Sequence, residues 1–117
     1  MGGGLALVNS LDLIANGFTV SQIHAFGCPR VLNPSLAQFL KQKVETIWRI
    51  IHHRDIIPHV PLLQQNYHHP PFEVLFDENL QNYRICDESG EDPSCALAFE
   101  PGVSIEDHIT YWYAPIK

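Results

Sequence analysis

Three stretches of this 117-residue chain carry side chains whose types and spacing can do chemistry. The first is Asp55, in Arg54-Asp55-Ile56-Ile57-Pro58-His59, directly after a β-branched, aromatic run that reads as a buried strand. A carboxylate at the carboxyl end of a parallel strand stands where open α/β sheets assemble their sites. Taken alone, it can equally be a loop carboxylate that caps a turn or pairs with Arg54. The second stretch is Asp107-His108, at the start of a helix capped by Ser104. A histidine there, on the rim of a sheet, can serve as a general base, or be an ordinary surface histidine. The third is Met1-Gly2-Gly3-Gly4, running straight into an apolar helix. Glycines allow close backbone approach at a tight strand-to-helix turn and leave N–H groups aimed outward. No Gly-Lys-Ser/Thr follows, as a phosphate loop would require, and a flexible start accounts for the glycines equally well.

The cysteines and histidines offer less. Cys86 and Cys95 bracket the turn-rich Asp87-to-Ser94 segment. They can close a short loop, worth about 2–3 kcal/mol in an oxidising compartment, or remain two free thiols. Cys28 reads as a small packed residue rather than a nucleophile. The pairs His52-His53 and His68-His69 are adjacent in sequence. Strand neighbours point to opposite faces, so such a pair chelates one ion poorly. With no CxxC and no HExxH, a specific metal site is not expected.

The elements that must position these groups alternate. Leu5, Val8, Leu11 and Ala15 recur at helical spacing over 3–15, ahead of a helix-ending Gly17. Residues 19–26 read as a short buried strand, broken by Gly27-Cys28-Pro29. Asn33-Pro34 is an N-cap with proline at the first helical position, opening a helix to about residue 43. Residues 46–53 form a second strand. Helix and strand in alternation imply parallel strands with crossover helices. Four prolines then punctuate an irregular stretch, 72–76 and 82–86 read as a hairpin, and Ser104 with Asp107 reads as a capping box for a last helix.

Composition narrows the field. The chain is 45% apolar and 17% charged, which excludes wholesale disorder. Its net charge is −6, so it lacks the basic surface of a sequence-independent nucleic-acid binder. Ten of the thirteen acidic residues lie between Glu73 and Asp107, which reads as a solvated surface. No apolar run approaches the roughly 18 residues of a membrane helix. The first fourteen residues lack a basic region and include Asp12, so they do not read as a secretory signal.

In chain order the three stretches give a glycine turn, an acid and a histidine, the order of α/β-hydrolase triads, Ser…Asp…His. The chain resembles the C-terminal part of class 3 lipases, the fungal-type triacylglycerol lipase family. In that family the nucleophile elbow reads Gly-His-Ser-(Leu/Met)-Gly-Gly-(Ala/Gly)-Leu-Ala. Met1-Gly2-Gly3-Gly4-Leu5-Ala6 matches everything after the serine. Phe26-Gly27-Cys28-Pro29-Arg30-Val31 resembles the family's Phe-Gly-x-Pro-Arg-Val segment. Arg54 to Pro61 resembles the segment with the triad aspartate, and Asp107-His108-Ile109-Thr110-Tyr111-Trp112 the segment with the triad histidine.

The resemblance implies an α/β-hydrolase fold in which residues 1–117 are the latter part of one larger domain. The serine would stand immediately before Met1; Ser10, Ser21 and Ser35 lack the flanking glycines that would make a substitute. It further implies Asp55 and His108 as the triad acid and base, and the Met1 N–H as one oxyanion-hole donor. Val60, Leu62 and Leu63 would line an acyl pocket, and Cys86 and Cys95 would form a disulfide. No cofactor or metal is implied. The substrate class is lipid carboxylic esters, and the location of a full-length protein is extracellular or the secretory lumen. The 117 residues alone are expected to be inactive and, through an unpaired edge of the 19–26 strand, prone to self-association. The alternative is a non-catalytic lipase-like protein with a binding or interaction role.

Overall fold

The structure, a computed structural model, describes residues 1–112. Helix α1 (Gly2–Ala15) leads into strand β1 (Gln22–Phe26), helix α2 (Pro34–Lys43) and strand β2 (Thr46–His52). Strands β3 (Glu73–Phe76) and β4 (Tyr83–Ile85) and the short helix α3 (Ile105–Ile109) follow. The sheet order is β1-β2-β3-β4, with β1, β2 and β3 parallel and β4 antiparallel to β3. This is the parallel-then-hairpin arrangement expected from the sequence, and the connection from β2 to β3 is irregular, as its prolines imply, with no crossover helix. It carries only single 3₁₀ turns at Ile57–His59 and Leu63–Gln65, because the prolines of that stretch cannot sustain a helical ladder.

Local chemistry explains the element ends. At the end of α1, Gly17 at φ +85° donates to the Ile14 carbonyl and Phe18 to the Leu13 carbonyl, the paired bonds of a glycine-terminated helix. Asn33 Oδ1 accepts from the Leu36 N–H at 2.8 Å, and Pro34 occupies the first position of α2. The Asp77 carboxylate gathers the N–H groups of Gln81 and Asn82 and closes the β3–β4 turn.

The two faces of the sheet differ. On one, Leu7 of α1 and Ala37 and Leu40 of α2 pack with Ile23, Ala25 and Ile47 into a single buried cluster. Each large aliphatic there contributes about 1.5–3 kcal/mol by leaving water. Strand β1 is shorter than expected and alternates between exposed and buried residues, so it is not buried on both sides. Its outward residues His24 and Phe26, with Trp48, Ile50, Val74 and Phe76, line an apolar groove of about 370 Å³ on the opposite face.

The helix-bearing face also holds ions. Arg49 and Glu73 are register partners across β2 and β3, and their side chains meet at 3.3 Å. Arg49 also donates to the carbonyls of Pro70 and Gly90, each at 2.7 Å. Arg30 grips Glu91 through two nitrogens, at 2.8 and 2.9 Å, and reaches the carbonyls of His59 and Pro61. These bonds pin the irregular 53–72 connection and the 87–100 loop to the sheet. Cys86 and Cys95 are joined in a disulfide that staples the latter. No helix of the described residues is long and apolar enough to cross a membrane.

Candidate active site

The loop after β2 and the segment around α3 are sewn together by backbone. Ser104 donates to the Arg54 carbonyl at 2.7 Å, and Ile56 donates to the Ser104 carbonyl at 3.1 Å. This single parallel bridge sets Asp55 opposite Ser104, four residues before His108. Ser104 also accepts from the Asp107 N–H through Oγ at 3.2 Å, which starts α3. Only half of the expected capping box forms. The Ser104 N–H is already committed to Arg54, so the Asp107 carboxylate turns outward to the His53 ring and the Arg54 N–H.

The result is contact between two residues 53 apart in sequence. His108 Nδ1 lies 3.0 Å from both carboxylate oxygens of Asp55. Asp55 is 0% exposed and the His108 side chain 26% exposed. A carboxylate accepts only, so Nδ1 carries the proton and Nε2 is left as the basic nitrogen. Two further donors saturate Asp55: the Ile57 N–H at 2.8 Å and the Tyr111 hydroxyl at 2.5 Å. The Tyr111 oxygen in turn accepts from the His52 N–H at 3.2 Å. Burial and the bond to Asp55 push the Tyr111 phenol far above its ordinary value, so it remains a donor. Such an arrangement orients an imidazole as a general base and stabilises the imidazolium that forms.

Gly27 makes the approach possible. It lies at the carboxyl end of β1 with φ +51°, and a Cβ built there would fall 2.7 Å from Asp55 Oδ2, 2.9 Å from the Tyr111 hydroxyl and 3.0 Å from His108 Cε1. The motifs that contain Gly27 and Tyr111 do not by themselves place either beside Asp55. A signal existed for each: glycine ends a parallel strand at position 27, and Tyr111 stands three residues after His108.

The remaining expected site residues are exposed. Met1 is exposed at the N-cap of α1. Gly3 and Gly4 pack on the turn beyond Gly27, where a Gly3 Cβ would sit 3.0 Å from that of Cys28. Val60, Leu62 and Leu63 are exposed on the 3₁₀ segment and do not line the apolar groove. Cys28 is buried, and burial pushes its thiol up to about 11, which suits a packed residue and not a nucleophile. Both ring nitrogens of His52 face carbonyls, of Asp107 and Glu78. Among the described residues, Glu73, Cys86 and Cys95 place metal-capable atoms within 4.8 Å of one another, but the two sulfurs are bonded to each other.

Comparisons with known proteins agree with this geometry. The family described as Lipase (class 3) matches residues 1–65. A lipase of Rhizopus niveus is 33% identical over 96% of this chain and 30% of its own length. A lipase of Rhizomucor miehei is 28% identical over 96% and 32%. A secreted mono- and diacylglycerol lipase of Fusarium solani is 28% identical over 96% and 35%. The chain therefore spans about a third of the length of these relatives. The structure of lipase II from Rhizopus niveus superposes with a TM-score of 0.87 at 33% identity, covering 94% of this chain and 43% of that one. A triacylglycerol lipase whose catalytic centre is a serine-protease triad superposes at 0.84 and 28%, over 94% and 43%. Family match, superposition and the Asp55–His108 bond converge: the chain belongs to the class 3 lipase family and carries part of its α/β-hydrolase fold.

Proposed function

We propose that this chain supplies the acid–base half of a serine esterase acting on carboxylic esters of lipids, of the triacylglycerol class. The bond between the buried Asp55 carboxylate and His108 carries the reading, because it fixes the one imidazole tautomer that can accept a proton from a nucleophile. The nucleophile is the serine that the elbow motif places directly before Met1. His108 Nε2 takes its proton as it attacks the ester carbonyl and later passes the proton to the leaving alcohol. The Met1 N–H is one oxyanion donor, and Val60, Leu62 and Leu63 contact the acyl chain. Residues 1–117 belong to a single domain, secreted in the full-length protein. The edge of β1 not paired with β2 supports self-association of this chain by itself.

The test is hydrolysis of a lipid ester and a short p-nitrophenyl ester by the serine-bearing polypeptide. Asp55→Asn lowers kcat by about 10⁴-fold, as expected when a triad imidazole loses its tautomer, and His108→Ala lowers it at least as far. Turnover that survives His108→Ala refutes the assignment. A lipid-binding role without catalysis would show vesicle association and no turnover even with the serine present.

A further inference from the structure

We propose that Asp107 and His53 are positioning residues, a second aspartate–histidine pair that clamps the His108 turn onto the Asp55 loop. Segment 53–55 and segment 107–108 each carry one histidine and one aspartate, and they exchange them. Asp55 receives His108 Nδ1 at 3.0 Å. Asp107 Oδ2 receives His53 Nδ1 at 3.1 Å and the Arg54 N–H at 2.9 Å. The two bonds run in opposite directions between the same two strips of chain, from adjacent residues on one and from residues two positions apart on the other.

Three observations show that the second pair is built for position. Helix α3 has five residues, too few to hold its shape without tertiary anchors. Its placement rests on the Ser104 bridge and on Asp107, whose carbonyl is also reached by the His52 ring at 3.0 Å. His53 holds φ +42°, a left-handed conformation that a non-glycine residue keeps only where its surroundings over-determine it. Here the ring is fixed on one side by Asp107 and on the other by the edge of Phe99, with centroids 5.0 Å apart. Finally, the Asp107 carboxylate leaves its helix to make these contacts. With the Ser104 N–H committed to the Arg54 carbonyl, both hydrogen bonds of that carboxylate go to the Asp55 loop.

The inference shares the catalytic reading only in its kinetic arm, so the deciding measurement is spectroscopic. In the ¹⁵N-labelled 117-residue chain, the His108 Nδ1 proton, bound to a carboxylate, gives a downfield ring resonance. Asp107→Ala and His53→Asn are each expected to shift it upfield or broaden it beyond detection, with the backbone amide spectrum otherwise retained. Asparagine accommodates a left-handed backbone, so His53→Asn removes the ring without adding strain and remains decisive if Asp107→Ala fails to fold. Asp107→Asn keeps an acceptor and should restore the resonance. In the serine-bearing enzyme, Asp107→Ala and His53→Asn lower kcat by about tenfold with KM changed less than about twofold, the pattern of a misplaced base. An unaltered His108 resonance in the breaking variants overturns the proposal. An inactive parent enzyme would instead count against the esterase reading, leaving the spectrum to decide the clamp.

Discussion

Asp55 and Glu73 are both buried carboxylates of the same sheet region, and they are satisfied in opposite ways. Glu73 faces a guanidinium: Arg49 lies beside it, and the Ala96 N–H completes its coordination. Burial pushes the Glu73 carboxyl up, and the Arg49 charge offsets only part of that rise. Asp55 meets no lysine or arginine among the described residues. It accepts from a backbone N–H, a phenol and an imidazole. In the proposed mechanism a cation already in place would spend the negative charge, whereas neutral donors leave it for the imidazolium formed on proton transfer. One carboxylate is therefore held by a cation and the other by neutral donors, although both are buried.

The contrast can be broken most forcefully at Arg49. Arg49→Ala leaves Glu73 buried without its counter-ion and is expected to lower unfolding free energy by about 3–5 kcal/mol, measured by urea denaturation. Replacing Arg49 and Glu73 together by leucine should recover most of the loss. Asp55→Asn should lower stability by only about 1–3 kcal/mol, since the amide still accepts hydrogen bonds. Equal losses at Arg49 and Asp55 would erase the distinction.

A smaller effect sharpens the Asp55 side. Tyr111→Phe removes a hydrogen bond to a carboxylate and is expected to lower stability by about 1.5–3 kcal/mol. A denaturation midpoint unchanged from the parent would show that the phenol does not hold Asp55.

The smallest effect is a pH slope. His69 is buried beside the ion cluster and donates to the Pro58 carbonyl. Burial, reinforced by Arg49, holds it well below its ordinary value. The unfolded chain binds a proton on His69 near pH 6.5 and the folded chain does not. Stability is therefore undiminished above that pH and falls as pH drops through it, by at most about 1.4 kcal/mol per pH unit. His69→Gln should flatten that part of the stability–pH curve. A slope that persists would place the acid sensitivity elsewhere.

The sequence made the periodic elements legible because local rules governed them. The proline-led start of α2, the glycine end of α1 and the hairpin around Asp77 each follow from side chains within a few residues. That Asp55 and His108 meet was legible through motif order. The side chains that hold them in place were not, because those contacts join positions more than fifty residues apart. Nothing in local spacing says that Tyr111 reaches Asp55, or that Asp107 abandons its helix for His53. The 19–26 strand was misjudged for a related reason. Its apolar residues imply two-sided burial, but only Ile23 and Ala25 face the helices.

Gly27 sets a limit on how this scaffold can be redesigned. The space that a single methyl group would fill there is bounded by side-chain atoms of Asp55, Tyr111 and His108. A saturation library at position 27 should thus contain one productive member, whatever the rest of the protein does. Its neighbour Phe26 points to the open groove and is half exposed. Diversity aimed at the rim of the site belongs at position 26, and position 27 is best left out of any library.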